Sequence, residues 1–325
     1  MRPERHLPLL VAPRACVSCG AEAVHALHVF PVSHGKPRVS GQLALALLGC
    51  ERCGLVFSTP TPTQAELDAY YGGSEGEGWD GRIEVEPERM AERLERKRAS
   101  NELDYALLAA NAELPERPRR ALDFGCGIGG WLDVLAADGW ETAGIEPGAR
   151  AAAAVEERHR LLEQIPAEPS FELVVVQHTL EHLDDPLAML RKLGAATVPG
   201  GLVYVSVPNL PRLPEHGDFD YIASDKHISS FTHDSLRALL ALAGFELVAH
   251  SNDPSWREPV ERPQRVKRLA AVGRRAQGEA PLPEAPLECA LAALRGYAAQ
   301  LPEPMRRLPV STPRRVLRRV RRLLD

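Results

Sequence analysis

The chain has 325 residues, 44% hydrophobic and 26% charged, enough to bury a full core and to make about two domains at ~150 residues each. Its longest apolar run, Leu43 to Leu48, is far short of the ~20 residues of a membrane span, and the N-terminus offers only Leu7 to Ala12, so no signal peptide is expected and the protein reads as cytoplasmic. The net charge of −5 hides an asymmetry: from Ser255 onward there are 16 Lys+Arg against 7 Asp+Glu, and before it 23 against 37.

Residues 1–80 hold short apolar runs and turn residues, ending in Pro60-Thr61-Pro62-Thr63 and the glycine-rich stretch Gly72 to Gly81, which reads as a small module and linker. Thr63, with Glu66 three residues on, predicts the capped start of a short helix ending near Tyr70-Tyr71. A long polar helix follows over residues 86–113, with Met90, Leu94, Leu103, Leu107 and Leu108 as its apolar stripe. From Arg120 strands and helices alternate. Strands are predicted over Ala121–Phe124, Thr142–Ile145, Phe171–Gln177, Leu202–Val207 and Phe245–His250. Helices are predicted over Trp131–Ala137, from Ala149, over Pro186–Thr197 and over Asp234–Ala243. Such alternation specifies an open, mostly parallel sheet with helices on both faces. Between Ala149 and Phe171 the chain is short. Either the helix stops near Ala154 and Val155–His159 is a brief strand, or the helix runs on to Leu162 and the strand is lost. The expected divisions are thus 1–80, a connecting helix over 81–119, a sheet domain over 120–255 and an Arg-rich helical extension over 256–325.

Six cysteines in a chain with no export signal do not suggest disulfides. Cys16-Val-Ser-Cys19-Gly20 and Cys50-Glu-Arg-Cys53-Gly54 are two knuckles, each presenting two thiolates to one ion. Four thiolates predict a closed, structural zinc site. His25, His28 and His34 read as loop residues, and Cys126 and Cys289 stand apart. The module has 6 Lys+Arg and 8 Asp+Glu through Asp80, no footprint for phosphates, so nucleic acid is not an expected partner.

The glycines of Asp123-Phe124-Gly125-Cys126-Gly127-Ile128-Gly129 let the chain turn from strand to helix and approach a ligand closely. Gly125, Gly127 and Gly130 also satisfy the dinucleotide pattern, with Glu146 placed for a ribose. Asp123 argues against it, because a carboxylate there repels a pyrophosphate and attracts an ammonium. No Tyr-x-x-x-Lys is present near Tyr221 to Lys226, and His178-Thr-Leu-Glu181-His182-Leu-Asp-Asp-Pro186 has no role in a nicotinamide site. His178-x-x-Glu181-His182 also fits a zinc-protease pattern, which needs a helix through it and a third ligand. Here it follows a buried strand directly.

Together with Gly144-Ile-Glu-Pro147, Pro199-Gly-Gly201 and Phe231-Thr-x-x-Ser235-Leu before Ala243-Gly-Phe245, these motifs make residues 120–250 resemble the class I S-adenosylmethionine (SAM) dependent methyltransferase domain. The resemblance implies a doubly wound, mostly parallel Rossmann-like α/β sheet beside the zinc ribbon. It places Gly125, Cys126, Gly127 and Gly129 in the SAM turn, Asp123 near the amino end of SAM, Glu146 on the ribose hydroxyls and Gln177 beside the cofactor. Leu162–Ile165 would be the loop nearest the adenine. His178, His182 and His227 are the candidate bases for removing the acceptor's proton, His178 facing the acceptor more directly. Cys50 to Tyr71 resembles bacterial zinc-ribbon methyltransferases that tailor sugars and natural products, implying a small polar acceptor such as a carbohydrate, and O-methylation before C- or N-methylation. The other reading is a zinc-containing RNA methyltransferase, but the Asn/Asp-Pro-Pro-Tyr of base-amino methyltransferases is missing at Gln177 to Leu180. In the tail, Val316, Leu317, Val320, Leu323 and Leu324 share a helical face amid six arginines, suited to its own protein surface or to peripheral contact with an anionic membrane.

Overall fold

The computed structural model describes residues 15–31, 44–62, 64–72, 86–116, 119–224, 226–257, 267–276 and 283–300. The basic helix over 313–324, the cap at Thr63 and His34 lie outside the described residues.

The N-terminal strands β1 (Val24–Pro31), β2 (Ala44–Cys50) and β3 (Val56–Thr59) form an antiparallel sheet. Helices α1 (Gln64–Gly72) and α2 (Pro87–Asn111) follow. Strands and helices then alternate: β4 (Arg120–Phe124), α3 (Gly130–Ala137), β5 (Glu141–Ile145), α4 (Ala149–Glu156), β6 (Arg160–Leu161) and β7 (Phe171–Gln177). After them come α5 (Pro186–Ala196), β8 (Thr197–Pro208), the short helices α6 (Leu213–His216) and α7 (Phe219–Ile222), and β9 (Ser229–Ser230). The last described elements are α8 (His233–Leu242), β10 (Phe245–His250), β11 (Arg268–Arg275) and α9 (Glu288–Gln300).

Seven strands make the main sheet in the order β10-β11-β8-β7-β4-β5-β6. The pairs from β8 to β6 are parallel, and β11 runs antiparallel to both its neighbours. The expected doubly wound sheet is therefore present. Its central strands are buried on both faces: Leu122, Val174, Val176, Val203 and Val205 join one core cluster, and Ala121, Leu173, Val175, Leu202 and Tyr204 another.

Two expectations change. Residues 268–275, assigned to a helical extension, are a strand inserted between β8 and β10, so the sheet continues past residue 256. The run Leu269-Ala-Ala-Val272 has no alternation because both its faces are covered, and it sits among arginines that dominate the composition. Around the shortened third strand, α4 ends at Glu156 and β6 is the pair Arg160–Leu161, which lies beyond the segment Val155–His159 expected for it.

The two sheets share their cores. Leu48, Cys50, Leu55 and Phe57 pack into the main core, while Leu27, Leu47 and Val56 pack against α6, α7 and α9 through Leu213, Ile222, Leu291 and Leu294. β9 adds to the edge of the N-terminal sheet by pairing with β3. The N-terminal module is thereby welded to the segment that carries His227.

Candidate functional site

At the carboxyl edge of the main sheet, where open α/β sheets bind ligands, lies a cavity of about 970 Å³. Asp123, Gly125, Cys126, Gly127, Glu146, Gln177, His178, His182 and His227 all line it. Gly129 stands behind, as the residue that starts α3, at φ +84°.

The glycine turn owes its shape to three positive φ angles, +77° at Gly125, +54° at Gly127 and +84° at Gly129. A Cβ on Gly125 would lie 2.4 Å from Thr179 Oγ1, whose hydroxyl donates to the carbonyls of Phe124 and Gln177 and so ties the ends of β4 and β7 together. A Cβ on Gly127 would meet nothing within 4 Å. That residue presents bare backbone to the open cavity. Glu146 closes the turn from the other side, its carboxylate accepting from the amides of Gly127 (2.8 Å) and Gly148 (2.9 Å). Cys126 lines the cavity as part of the turn. Its thiol packs beneath Gly144 among Leu132, Val155 and Leu161.

Asp123 is buried at the end of β4, and desolvation, reinforced by the nearby Glu146 charge and only partly offset by Lys97, pushes its carboxyl up to about 8. Lys97, from α2, has its own proton affinity lowered by burial and by the Arg268 and Arg93 charges. Two buried polar atoms at this end have no hydrogen-bond partner among the described residues, Asn101 Oδ1 and Trp131 Nε1, and both residues line the cavity.

Gln177 does not reach the cavity with its amide nitrogen, which donates to Asp104 Oδ2 at 2.7 Å. Asp104 also accepts from the Tyr204 hydroxyl (3.2 Å) and Arg268 Nη1 (3.1 Å), so one buried carboxylate of α2 binds β7, β8 and β11. Sequence reasoning missed this face of α2. The signal was present: Lys97, Asn101 and Asp104 interrupt the apolar stripe at helical spacing.

The three histidines gather round Glu181. His178 leaves β7 at φ +52°, a left-handed conformation that costs about 1–3 kcal/mol in a residue other than glycine and clusters at functional sites. Its Nδ1 lies 3.2 Å from Glu181 Oε1. His182 Nδ1 contacts the Lys226 carbonyl (2.9 Å) and the Tyr71 hydroxyl (2.6 Å), and His227 Nδ1 contacts the Tyr221 carbonyl (2.7 Å). Burial would raise the Glu181 carboxyl, but its hydrogen bond to His178 and the three imidazoles hold it at about 2. Burial lowers His182 and, with His182 beside it, takes His227 down to about 3. Tyr70, Tyr71 and Leu67 of α1 line the same cavity, so the N-terminal module supplies part of its wall. Leu162–Ile165 does not. Leu162 and Ile165 pack on the main core, and the lining near Glu146 comes instead from Ile128, Ile145 and Pro147.

The four knuckle cysteines converge as their spacing predicts. All four sulfurs lie within 4.8 Å of one another, with Cys16–Cys53 at 3.7 Å and Cys19–Cys50 at 3.5 Å. Those separations far exceed a disulfide's ~2.05 Å. They match the ~3.8 Å edge of a tetrahedron with zinc–sulfur bonds of about 2.3 Å. Each knuckle closes alike, Gly20 N–H on the Cys16 carbonyl and Gly54 N–H on the Cys50 carbonyl, both glycines at positive φ.

Residues 90–250 match a protein family described as a methyltransferase domain. The chain is similar to curated proteins named ubiquinone biosynthesis O-methyltransferase: 32% identical over 101 residues to that of Rhodopseudomonas palustris, covering 28% of this chain and 40% of the relative. The relative from Xanthomonas campestris pv. campestris strain B100 is 32% identical over 120 residues, covering 33% and 48%. The chain thus spans less than half the length of these relatives. Among solved structures it is similar to a SAM-dependent methyltransferase from Archaeoglobus fulgidus (TM-score 0.42, 19% identity, 55% of this chain and 96% of that one). It is also similar to 1,6-didemethyltoxoflavin-N1-methyltransferase from Burkholderia thailandensis (TM-score 0.46, 17% identity, 76% and 100%).

Proposed function

Because residues 90–250 form a class I SAM-dependent methyltransferase domain, we propose that the protein methylates an oxygen of a small polar acceptor, such as a sugar, glycolipid or related metabolite, held in the cavity beside the glycine turn. SAM, when bound, supplies a methyl group on a cationic sulfur and carries an α-ammonium and a carboxylate. The residues at the turn fit such a molecule. Asp123 and the unpaired Asn101 Oδ1 offer acceptors to an ammonium, and the unpaired Trp131 Nε1 offers a donor to a carboxylate. Glu146, at the end of β5, accepts from the amides of Gly127 and Gly148 and lines the cavity on the side where the ribose hydroxyls would lie.

The observation that carries the reading is the His178–Glu181 pair. With the Nδ1 proton given to Glu181, His178 keeps the lone pair of Nε2 and is oriented by a buried carboxylate at the cavity wall. His178 then receives the proton of the acceptor hydroxyl. The O-methyltransferase names of the curated relatives support oxygen as the acceptor atom. The acceptor class rests on the resemblance of Cys50 to Tyr71, with the tyrosines of that stretch, Tyr70 and Tyr71, lining the cavity. The four cysteines hold a structural zinc ion in this reading.

His178→Ala is expected to lower turnover by about 10²–10⁴, the usual weight of a positioned base, while S-adenosylhomocysteine binding measured by calorimetry stays as in wild type. Unchanged turnover removes His178 from this role. A wild-type protein with no affinity for either SAM or S-adenosylhomocysteine ends the whole reading.

A further inference from the structure

Glu181, His182 and His227 form a second cluster with metal-ligating chemistry, distinct from the cysteines. A carboxylate oxygen and one ring nitrogen from each histidine lie within 4.8 Å of one another. Glu181 and His182 come from the turn after β7 and His227 from the loop before β9, so the cluster exists only where these segments meet.

Inside the cluster the groups do not satisfy one another. Glu181 Oε1 takes His178, but Oε2 is fully buried and has no hydrogen-bond partner among the described residues. His182 Nε2 stands 3.9 Å from Glu181 Oε1, too far for a hydrogen bond. The His182 and His227 rings meet edge to face with centroids 4.6 Å apart, an arrangement that adds no donor for the bare oxygen. A buried carboxylate oxygen left without a donor is costly, and a cation would satisfy it together with the two imidazoles.

The outer contacts point the same way. The Nδ1 atoms of His182 and His227 are each held by a main-chain carbonyl, of Lys226 and Tyr221. A carbonyl only accepts, so His227 Nδ1 carries the proton and its Nε2 keeps the lone pair; His182 Nδ1 also meets the Tyr71 hydroxyl at 2.6 Å, and its ring takes the same tautomer when that hydroxyl accepts. This is the arrangement that orients ligating histidines.

We propose that Glu181, His182 Nε2 and His227 Nε2 bind a divalent first-row transition cation at the cavity wall, with its remaining coordination positions open to oxygens of the acceptor. Two imidazoles and one carboxylate suit zinc, cobalt, iron(II) or manganese, and differ from the all-oxygen sets of calcium and magnesium. Three protein ligands with an open position also mark an ion that handles a ligand, in contrast to the closed set of four thiolates. An acceptor hydroxyl bound to such an ion releases its proton more readily, toward the neighbouring His178, and a pair of adjacent oxygens would be gripped together. This role in acceptor binding rests on the methyl-transfer reading. The ion site does not.

The test is metal analysis of the full-length chain after dialysis against micromolar zinc, and separately against manganese, on wild type, Glu181→Gln and His227→Gln. S-adenosylhomocysteine calorimetry and thermal melts on the same samples report folding. Wild type is expected to hold two ions per chain, and each variant one, with the cysteine-bound zinc retained. One ion in wild type under both dialyses overturns the proposal, as does a second ion that survives both substitutions. Should one variant fail to fold, the other and His182→Gln decide. S-adenosylhomocysteine binding without a second ion refutes this site and leaves the methyl-transfer reading standing. A second ion without that binding does the reverse.

Discussion

Asp123, proposed above as an acceptor for the ammonium of SAM, also bears on the stability of the fold. Its folded carboxyl, pushed up to about 8 by desolvation, holds its proton far above the ~3.9 of a solvated aspartate. The folded state therefore binds more protons than the unfolded state between about pH 4 and pH 8, and this group makes the ligand-free protein lose stability as pH rises through that window. Asp123→Asn should remove the loss: its melting temperature relative to wild type should climb from pH 6 to pH 8 while S-adenosylhomocysteine affinity falls. A constant difference across that range would mean that Asp123 is already ionised in the empty site. The neighbouring glycines separate two duties. Gly125→Ala would drive a methyl group onto Thr179 Oγ1 in a left-handed backbone and is expected to destabilise the fold by about 1–3 kcal/mol. Gly127→Ala meets no protein atom and carries only the strain of its φ of +54°, so its melting temperature should fall less than that of Gly125→Ala while its methyl group, projecting into the cavity, cuts cofactor affinity. Calorimetry set beside thermal melts of the two variants checks the contrast.

At the level of elements, the site is built by segments far apart in the chain. The turn after β7 supplies His178, Glu181 and His182, the loop before β9 supplies His227, α1 supplies Tyr71, and α2 supplies Lys97 and Asn101. Pairing of Val56 and Phe57 with Ser230 and Ser229, and the Ser58 amide on the Ile228 carbonyl, hold the His227 loop against the ribbon. The helix α2 is pinned by Asp104 to three strands. Asp104→Ala leaves the Gln177 amide, the Tyr204 hydroxyl and the Arg268 guanidinium without this acceptor, and a loss of about 3–5 kcal/mol is expected because a buried charge is uncovered. Urea unfolding of Asp104→Ala and Asp104→Asn measures it, with Asn recovering part of the loss. The motifs at strand ends were legible because they need particular residue types at fixed spacing: glycine for positive φ, and Asp123 and His178 at the ends of β4 and β7. The contributions of α1 and α2 were not, since side chains there matter only for what they face.

For the molecule as a whole, the cysteine cluster acts at a distance. Cys50 and Cys53 flank the turn between β2 and β3, and β3 carries β9. Stripping the zinc proposed for the four cysteines with a chelator is thus expected to lower the melting temperature and to cut turnover together, through slackening of the His227 loop. Retained turnover in a metal-free protein would uncouple the ribbon from the site. Among the described residues no helix is long and apolar enough to cross a membrane.

The sequence alone determined the parts that depend on local chemistry. Alternating strands and helices, three glycines that only a sharp turn requires, and cysteines at knuckle spacing carry their structural consequence wherever the chain goes. Only the tertiary structure decided what long-range packing controls. It turned Leu269 to Val272 into a sheet strand, because a strand buried on both faces has no alternation to read. It turned the Cys126 thiol into the core, because Gly144 leaves room for it there. And it brought His227 to Glu181 and His182 across 44 intervening residues, a meeting that depends on β3 pairing with β9 and on no local preference of either segment.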